Sequence, residues 1–295
     1  EQDPRFVADL SECHTVIPEI GGRIGALAAL VEGLEARADI PQIEFIAGDA
    51  TAEFSGIALV FRHLKPLSDA DRAALAAFGQ AHAFAIFLQP GGVDSVHPLW
   101  PEAPALAFTL PQWNIELAFR PLDFIQVNAG LNQKMIARTF ELLDPQPQDR
   151  VLDLFCGLGN FTLPMARLVG EVVGVEGDAG LVARARENAG RNQLANAQFH
   201  AADLTQDQRG TGWMRQGFDK LLLDPPRSGA IEVLKQLPLK QFKRIVYVSC
   251  HPGSLARDAG FLVNEQGYEL KAAGVMDMFP HTAHVESIAL FERKP

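Results

Sequence analysis

The chain has 295 residues, 47% of them hydrophobic and 21% charged, with 25 glycines and 19 prolines. This is too apolar for a disordered chain and too poor in Gly and Pro for a low-complexity one, and the length suggests about two domains. No apolar run approaches the ~20 residues of a membrane span, Glu1-Gln2-Asp3-Pro4 lacks the basic start of a signal peptide, and three scattered cysteines argue against a disulfide framework. The chain reads as cytoplasmic, with no membrane partner. Its net charge of −10 gives no electrostatic footprint for nucleic acid, because phosphate binding needs Lys and Arg to displace counterions.

Residues 1 to about 120 read as a smaller α+β domain. A helix is expected from Pro18 to Leu34, followed by strands at Gln42–Ala47 and Gly56–Phe61. A second helix starts near Ser68, which can cap it, with Asp69 and Asp71 suiting the positive helix end. Phe84–Leu88 and several Pro-interrupted short strands follow, up to Phe119. A bridging helix is expected over Asn132–Leu143.

From Asp149 onward, short apolar strands alternate with helical stretches, the pattern of a parallel sheet covered by helices. The strands are expected at Val151–Phe155, Val172–Glu176, Ala197–His200, Lys220–Leu223, Ile245–Ser249, Tyr268–Gly274 and Ser287–Phe291. Helices are expected at Ala179–Arg191 and Leu255–Glu265. The fold class is therefore α/β, a Rossmann-like sheet behind the smaller α+β domain, divided as 1–123 and 124–295.

The first of these strands ends in Asp153-Leu154-Phe155-Cys156-Gly157-Leu158-Gly159-Asn160-Phe161. Two glycines here let the backbone approach a ligand at the carboxyl edge of the sheet, and Glu176, ending the next strand, can accept both ribose hydroxyls. A dinucleotide fingerprint would place a third glycine where Thr162 stands. Asp153 would repel phosphate but suits the cationic amino acid part of S-adenosylmethionine, so this segment favours a methyltransferase over an oxidoreductase. Asp203, after the third strand, is placed to meet an adenine amino group.

Two further strand ends carry unusual residues, Asp224-Pro225-Pro226-Arg227 and Ser249-Cys250-His251-Pro252. Enzymes that methylate amino groups carry a stacking aromatic where Arg227 stands, which disfavours that chemistry. A cysteine at this edge suits another route, in which a thiolate adds to carbon 6 of uracil and makes carbon 5 nucleophilic. A base must later remove the carbon 5 proton, and the candidate is Glu286. The helix expected after Cys250 would favour the thiolate through its positive end. Cys13 and Cys156 read as small core residues. His281 and His284 lack further ligands at metal spacing and are expected to shape the loop that holds Glu286. Lys235, Lys240, Lys243 and Arg244 form a small basic run, more often a solvated face than a phosphate contact.

Five ordered segments together resemble the S-adenosylmethionine-dependent RNA (uracil-C5)-methyltransferase family. They are Phe124–Asn128, Asp153–Phe161, Asp224–Arg227, Ser249–Pro252 with Leu255–Asp258, and Pro280–Ser287. Within the family, Asp277–Thr282 is most similar to enzymes of 23S ribosomal RNA. The resemblance implies Cys250 as nucleophile, Glu286 as base, and Gln126, Phe155, Asn160, Glu176, Asp203 and Asp224 as the cofactor-facing set. Gln126 and Asp224 equally suit the uracil edge. It implies S-adenosyl-L-methionine as cofactor and ribosomal RNA as partner of a monomer. Transfer RNA, another ribosomal uridine, and a catalytically inactive RNA-binding or assembly factor stand as alternatives. The family's usual residue after the nucleophile is Asn, and here it is His251. Family members commonly carry an N-terminal RNA-binding β-barrel and a [4Fe-4S] cluster on four cysteines. Only Cys13 matches, as an orphan ligand, and one thiolate cannot hold a cluster. The resemblance thus leads to the expectation of a truncated chain whose RNA-gripping portion lay before Glu1.

Overall fold

The computed structural model describes residues 10–51, 54–280, 282 and 284–294, and they divide into two compact units. The first holds the residues up to Phe108 together with Arg120–Leu122, and the second holds Thr109–Phe119 and everything from Asp123.

In the first unit, helices α1 (Pro18–Gly21) and α2 (Ile24–Glu32) replace the single helix expected there. The break follows from a close approach. The Cys13 N–H donates to the Gly21 carbonyl at 3.1 Å, and a Cβ on Gly21 would lie 2.1 Å from the Cys13 oxygen. Strands β1 (Gln42–Ala47) and β2 (Ile57–Arg62), helix α3 (Asp69–His82), and strands β3 (Ala85–Gln89) and β4 (His97–Trp100) build a sheet in the order β1-β2-β3-β4. Leu59, Phe61, Leu75, Phe84, Ile86 and Leu88 fill the core between this sheet and α3. Ser68 caps α3 as expected, accepting from the Asp71 N–H. Asp71 does other work than balancing a dipole: it is buried, and its carboxylate accepts the Glu35 and Ala36 N–H groups at 2.8 and 3.0 Å.

Strand β5 (Ala107–Leu110) leads to β6 (Ile115–Ala118) and helix α4 (Ala129–Leu143). The second unit continues with β7 (Arg150–Leu154), α5 (Thr162–Ala166), β8 (Glu171–Glu176), α6 (Ala179–Arg191), β9 (Ala197–Ala201), β10 (Lys220–Leu223) and α7 (Ile231–Leu234). It closes with β11 (Arg244–Ser249), α8 (Pro252–Asn264), β12 (Tyr268–Met276) and β13 (Glu286–Arg293). Among the described residues these strands form a seven-stranded sheet in the order β12-β13-β11-β10-β7-β8-β9. Strands β7 to β11 run parallel and β13 runs antiparallel to both neighbours. Leu152, Leu154, Val173, Val175, Leu221, Leu223 and Tyr247 are fully buried, as near-continuous apolar strands covered on both faces should be.

Residues 109–119 lie ahead of the division expected at 123, yet they pack with the second unit through a ladder of amides. Asn188 on α6 and Asn192 just past its end stand one turn apart and mimic the edge of a strand. Asn192 accepts the Glu116 N–H at 2.9 Å and donates to the Glu116 carbonyl at 2.7 Å; Asn188 does the same for Ala118 at 2.9 and 3.0 Å. One turn earlier, Arg184 forms a largely buried ion pair with Asp123. Arg184, Asn188 and Asn192 thus hold Asp123, Ala118 and Glu116, ahead of Phe124–Asn128. Replacing Asn188 by Ala leaves two backbone groups of β6 without partners and should cost about 1–3 kcal/mol in urea unfolding. A loss within error would show that water satisfies them equally well.

Candidate active site

Five parallel strands and one antiparallel strand bring the chemistry-bearing residues to one edge. Phe155, Glu176 and Asp224 end or immediately follow β7, β8 and β10, and Asp203 follows β9 by two residues. Glu286 opens β13, which starts at the edge where β11 ends. The sheet register pairs Ser249 with Ser287, so Cys250 and Glu286 stand opposite each other one step further along.

The turn after β7 is tightly held. Phe155 takes a left-handed φ of 65°, uncommon for a side chain of this size, while its N–H and that of Cys156 both donate to the Val175 carbonyl, at 2.8 and 3.2 Å. Glu176 reaches across to accept the Gly157 N–H at 3.1 Å and also accepts the Asp178 N–H at 3.1 Å, which ties the turn to the start of α6. Thr162, counted in the sequence only as a missing glycine, is buried and donates to Asp153 at 2.5 Å. The other Asp153 oxygen has no hydrogen-bond partner among the described residues. Burial, with Asp224 and Glu176 nearby, holds the Asp153 carboxyl up at about 7 despite the Thr162 bond. Asp153 therefore supports the turn from beneath. Asp203 is exposed, and the Thr205 hydroxyl and N–H hold its carboxyl below the usual range.

One predicted residue is engaged with α4, and another lies just ahead of it. Asn160 and Asn132 exchange amide hydrogen bonds at 2.9 Å in both directions, fixing the glycine turn to the helix. Gln126 lies partly buried between two anchors, Asp123 on Arg184 and Asn128, which caps α4 by accepting the Leu131 N–H at 3.0 Å. A Cβ placed on Gly157 would meet nothing within 4 Å, so the turn opens onto free space. Acids at the β8 and β9 ends around an open glycine turn fit a cofactor with a ribose and a positive charge.

At the β11 end, Glu286 is buried, while Cys250 and Asp224 are partly so. Burial raises the Glu286 carboxyl, and burial with Glu286 close by pushes Asp224 up to about 7. The Cys250 thiol is pushed up by burial, by Glu286 and by Asp224, against a smaller opposing pull from Arg227. The helix that follows favours the thiolate, while burial and two carboxyl neighbours act against it. The helix end is also already capped, since the His251 Nδ1 accepts the Ser254 N–H at 3.1 Å. An Asn in that place would present an equivalent acceptor, so His251 preserves the cap. The Ser249 hydroxyl fixes the turn through Cys250, accepting from the His251 N–H and donating to its carbonyl, both at 3.1 Å.

The remaining candidates lie elsewhere. Cys156 is buried and its thiol pushed well up. Cys13, expected to be a core residue or an orphan ligand, is partly exposed and lies 3.1 Å from the Thr15 hydroxyl. Among the described residues no group of three His, Cys, Asp or Glu could hold a metal, and a single thiolate does not fit an iron–sulfur cluster. His281 lies outside the described residues; His284 packs edge-on against Phe279. Of the basic run, Lys243 pairs with Asp219 and Arg244 with Asp144 and Glu292; Arg244 opens β11, at the opposite edge of the sheet from Cys250.

Residues 113–294, more than half of the chain, match the family described as tRNA (uracil-5-)-methyltransferase. The chain belongs to that family. It is 76% identical over 294 residues to the 23S rRNA (uracil(1939)-C(5))-methyltransferase RlmD of Xanthomonas campestris pv. campestris (strain 8004). It is 74% identical to the RlmD of Stenotrophomonas maltophilia (strain K279a). In both cases all of this chain is covered but only 65% of the relative's length. Among solved structures, the Pyrococcus abyssi tRNA (uracil-54, C5)-methyltransferase in complex with S-adenosyl-L-homocysteine superposes with a TM-score of 0.75 at 23% identity. The match covers 97% of this chain and 70% of that one, and the two share their fold. Trm5b of Pyrococcus abyssi, at 14% identity and a TM-score of 0.56, is a more distant likeness in fold.

Two outcomes follow for members built this way. An unfolded Asp releases its proton near 3.8, whereas folded Asp153 keeps it to about 7, so stability is full at low pH and falls as pH rises through 7. Asp153→Asn should make that fall shallower, compared by urea midpoints at pH 5 and pH 8; an unchanged slope would place the titration elsewhere. His251→Asn should leave thermal stability near that of the parent, while His251→Ala should lose about 0.5–2 kcal/mol with the cap. Equal losses in both would deny the cap.

Proposed function

We propose that this chain methylates carbon 5 of a uridine in 23S ribosomal RNA, with S-adenosyl-L-methionine as methyl donor and a transient bond between Cys250 and carbon 6 of the uracil. The observation that carries the reading is the register between β11 and β13, which sets a thiol and a buried carboxyl opposite each other at the ligand edge of the sheet. The names of the RlmD relatives support the choice of ribosomal RNA over transfer RNA.

The residues divide the work by position. Glu176 and Asp203 would hold the ribose and adenine, Phe155 and Asn160 would shape the turn beneath them, and Gln126 and Asp224 would face the space between cofactor and base. The bound cofactor supplies a methyl group on a positively charged sulfur. The target base must leave its stack to reach Cys250. The Cys250 thiol gives its proton to solvent, the thiolate sulfur bonds to carbon 6, and the electron pair of the carbon 5–carbon 6 double bond moves onto carbon 5 and the adjacent carbonyl. Asp224, whose carboxyl is held up to about 7, can in its protonated form donate a hydrogen bond to an oxygen that gains charge. Carbon 5 would take the methyl group while the bonding pair stays on the sulfur of the departing S-adenosyl-L-homocysteine; the Glu286 carboxylate then takes the carbon 5 proton, the double bond re-forms and the thiolate departs.

An RNA containing 5-fluorouridine has no carbon 5 proton to lose, so it should stall as a protein–RNA adduct stable to denaturing electrophoresis. Cys250→Ala should form none. Glu286→Gln should accumulate methylated adduct on ordinary RNA, with turnover lowered by about 10²-fold or more, the usual range for a lost acid–base group. Adduct formation by Cys250→Ala, or rapid turnover by Glu286→Gln, would contradict the assigned roles.

A further inference from the structure

Asp258 lies inside α8, away from the ligand edge, and is completely buried. A buried carboxylate survives only when its lone pairs are met, and here they are met by three different elements. One oxygen accepts the Ala230 N–H at 2.8 Å and the Tyr247 hydroxyl of β11 at 2.7 Å. The other accepts from Nε of Arg257 at 2.8 Å. Arg257 in turn donates from Nη2 to the Ser228 carbonyl at 2.7 Å. The loop between them, residues 224–230, is therefore gripped at Ser228 and Ala230.

Gly229 sits between the two grips with a φ of 83°. A Cβ there would lie 2.5 Å from Arg257 Nη2 and 2.7 Å from an Asp258 oxygen, so only glycine lets the grip close. Upstream, the Gly229 N–H donates to the Pro226 carbonyl at 2.9 Å, and two prolines stiffen the stretch that follows Asp224. Arg227 is exposed on this loop. Strands β10 and β11 are parallel neighbours with Leu223 opposite Tyr247, so the loop carrying Asp224 and Arg227 leaves the sheet on one side of Cys250, with Glu286 of β13 on the other and the capping His251 next in the chain. Asp224, Arg227 and Glu286 are the charged groups that act on its thiol. Arg227 is the one cation among the first three.

The geometry points to Asp258 and Arg257 as positioning residues that clamp the 224–230 loop to β11 and α8, keeping the Arg227 guanidinium within reach of Cys250 as the counter-ion of its thiolate. This assignment rests on the proposed role of Cys250. It gives the Leu255–Asp258 segment, until now only part of a sequence resemblance, a physical task. Neither clamp residue touches the cofactor side of the edge, where Glu176 and Asp203 stand, so the clamp should act on adduct formation and leave cofactor affinity alone.

The test compares Gly229→Ala, Tyr247→Phe and Arg227→Gln with the parent chain. The readouts are the single-turnover rate of adduct formation on 5-fluorouridine RNA from pH 6 to 9, and S-adenosylmethionine affinity by calorimetry. Arg227→Gln, an exposed change that spares folding, should slow the adduct about tenfold at neutral pH and recover as pH rises, as a thiol made harder to ionise by about one pKa unit would. Gly229→Ala should reproduce that alkaline shift with unchanged cofactor affinity, Tyr247→Phe should shift the same way to a smaller degree, and adding Arg227→Gln to Gly229→Ala should slow it no further. A normal pH profile in Gly229→Ala and Tyr247→Phe, or losses in the double variant that simply add, would overturn the clamp. A parent chain that forms no adduct at all would instead overturn the proposed reaction.

Discussion

The second unit is organised around an electrostatic conflict: too many acids at one end of a sheet. Asp153, Glu176, Asp224 and Glu286 come from the ends of four different strands, and the parallel order forces those ends onto one edge. Burial and mutual repulsion hold Asp153 and Asp224 at about 7 and keep the Cys250 thiol from ionising easily. Such an edge welcomes a cation and resists a thiolate. A positively charged cofactor answers the first property, and Arg227 on its clamped loop answers the second.

Because the acids repel, their backbone must be held by something other than attraction among themselves. The structure does this with neutral amides and backbone donors. Glu176 accepts two N–H groups, Asn160 and Asn132 pair reciprocally, and Asn188 and Asn192 treat β6 as another strand. Two buried carboxylates near the site do carry a side-chain cation, Asp123 on Arg184 just ahead of Gln126 and Asp258 on Arg257. Buried ion pairs of this kind fix geometry more dependably than they add stability.

Much of this was legible before any coordinates. The alternation of apolar strands and helices from Asp149 gave the sheet, and Ala179–Arg191 and Lys220–Leu223 coincide with their observed bounds. Strand-end acids and Cys250 stood out because functional residues of open α/β sheets collect at that edge. What escaped were long-range partners: nothing local marks Asn188 and Asn192 as a mock strand, Thr162 as the donor to Asp153, or Asp258 as the hub of a loop clamp. The helix over Pro18–Leu34 broke because of an approach by Cys13, eight residues before Gly21, which periodicity cannot register. The helix end that favours a Cys250 thiolate is legible in the sequence, whereas the burial that opposes it is not.

The ionisation of Cys250 is the most direct measure of this account. Its alkylation by iodoacetamide can be followed from pH 6 to 11 by mass spectrometry of the Cys250 peptide, apart from Cys13 and Cys156. An inflection above that of an ordinary thiol is expected, moving down in Glu286→Gln as one repelling carboxylate is removed. An inflection below the ordinary value in the parent chain, or one indifferent to Glu286, would contradict it.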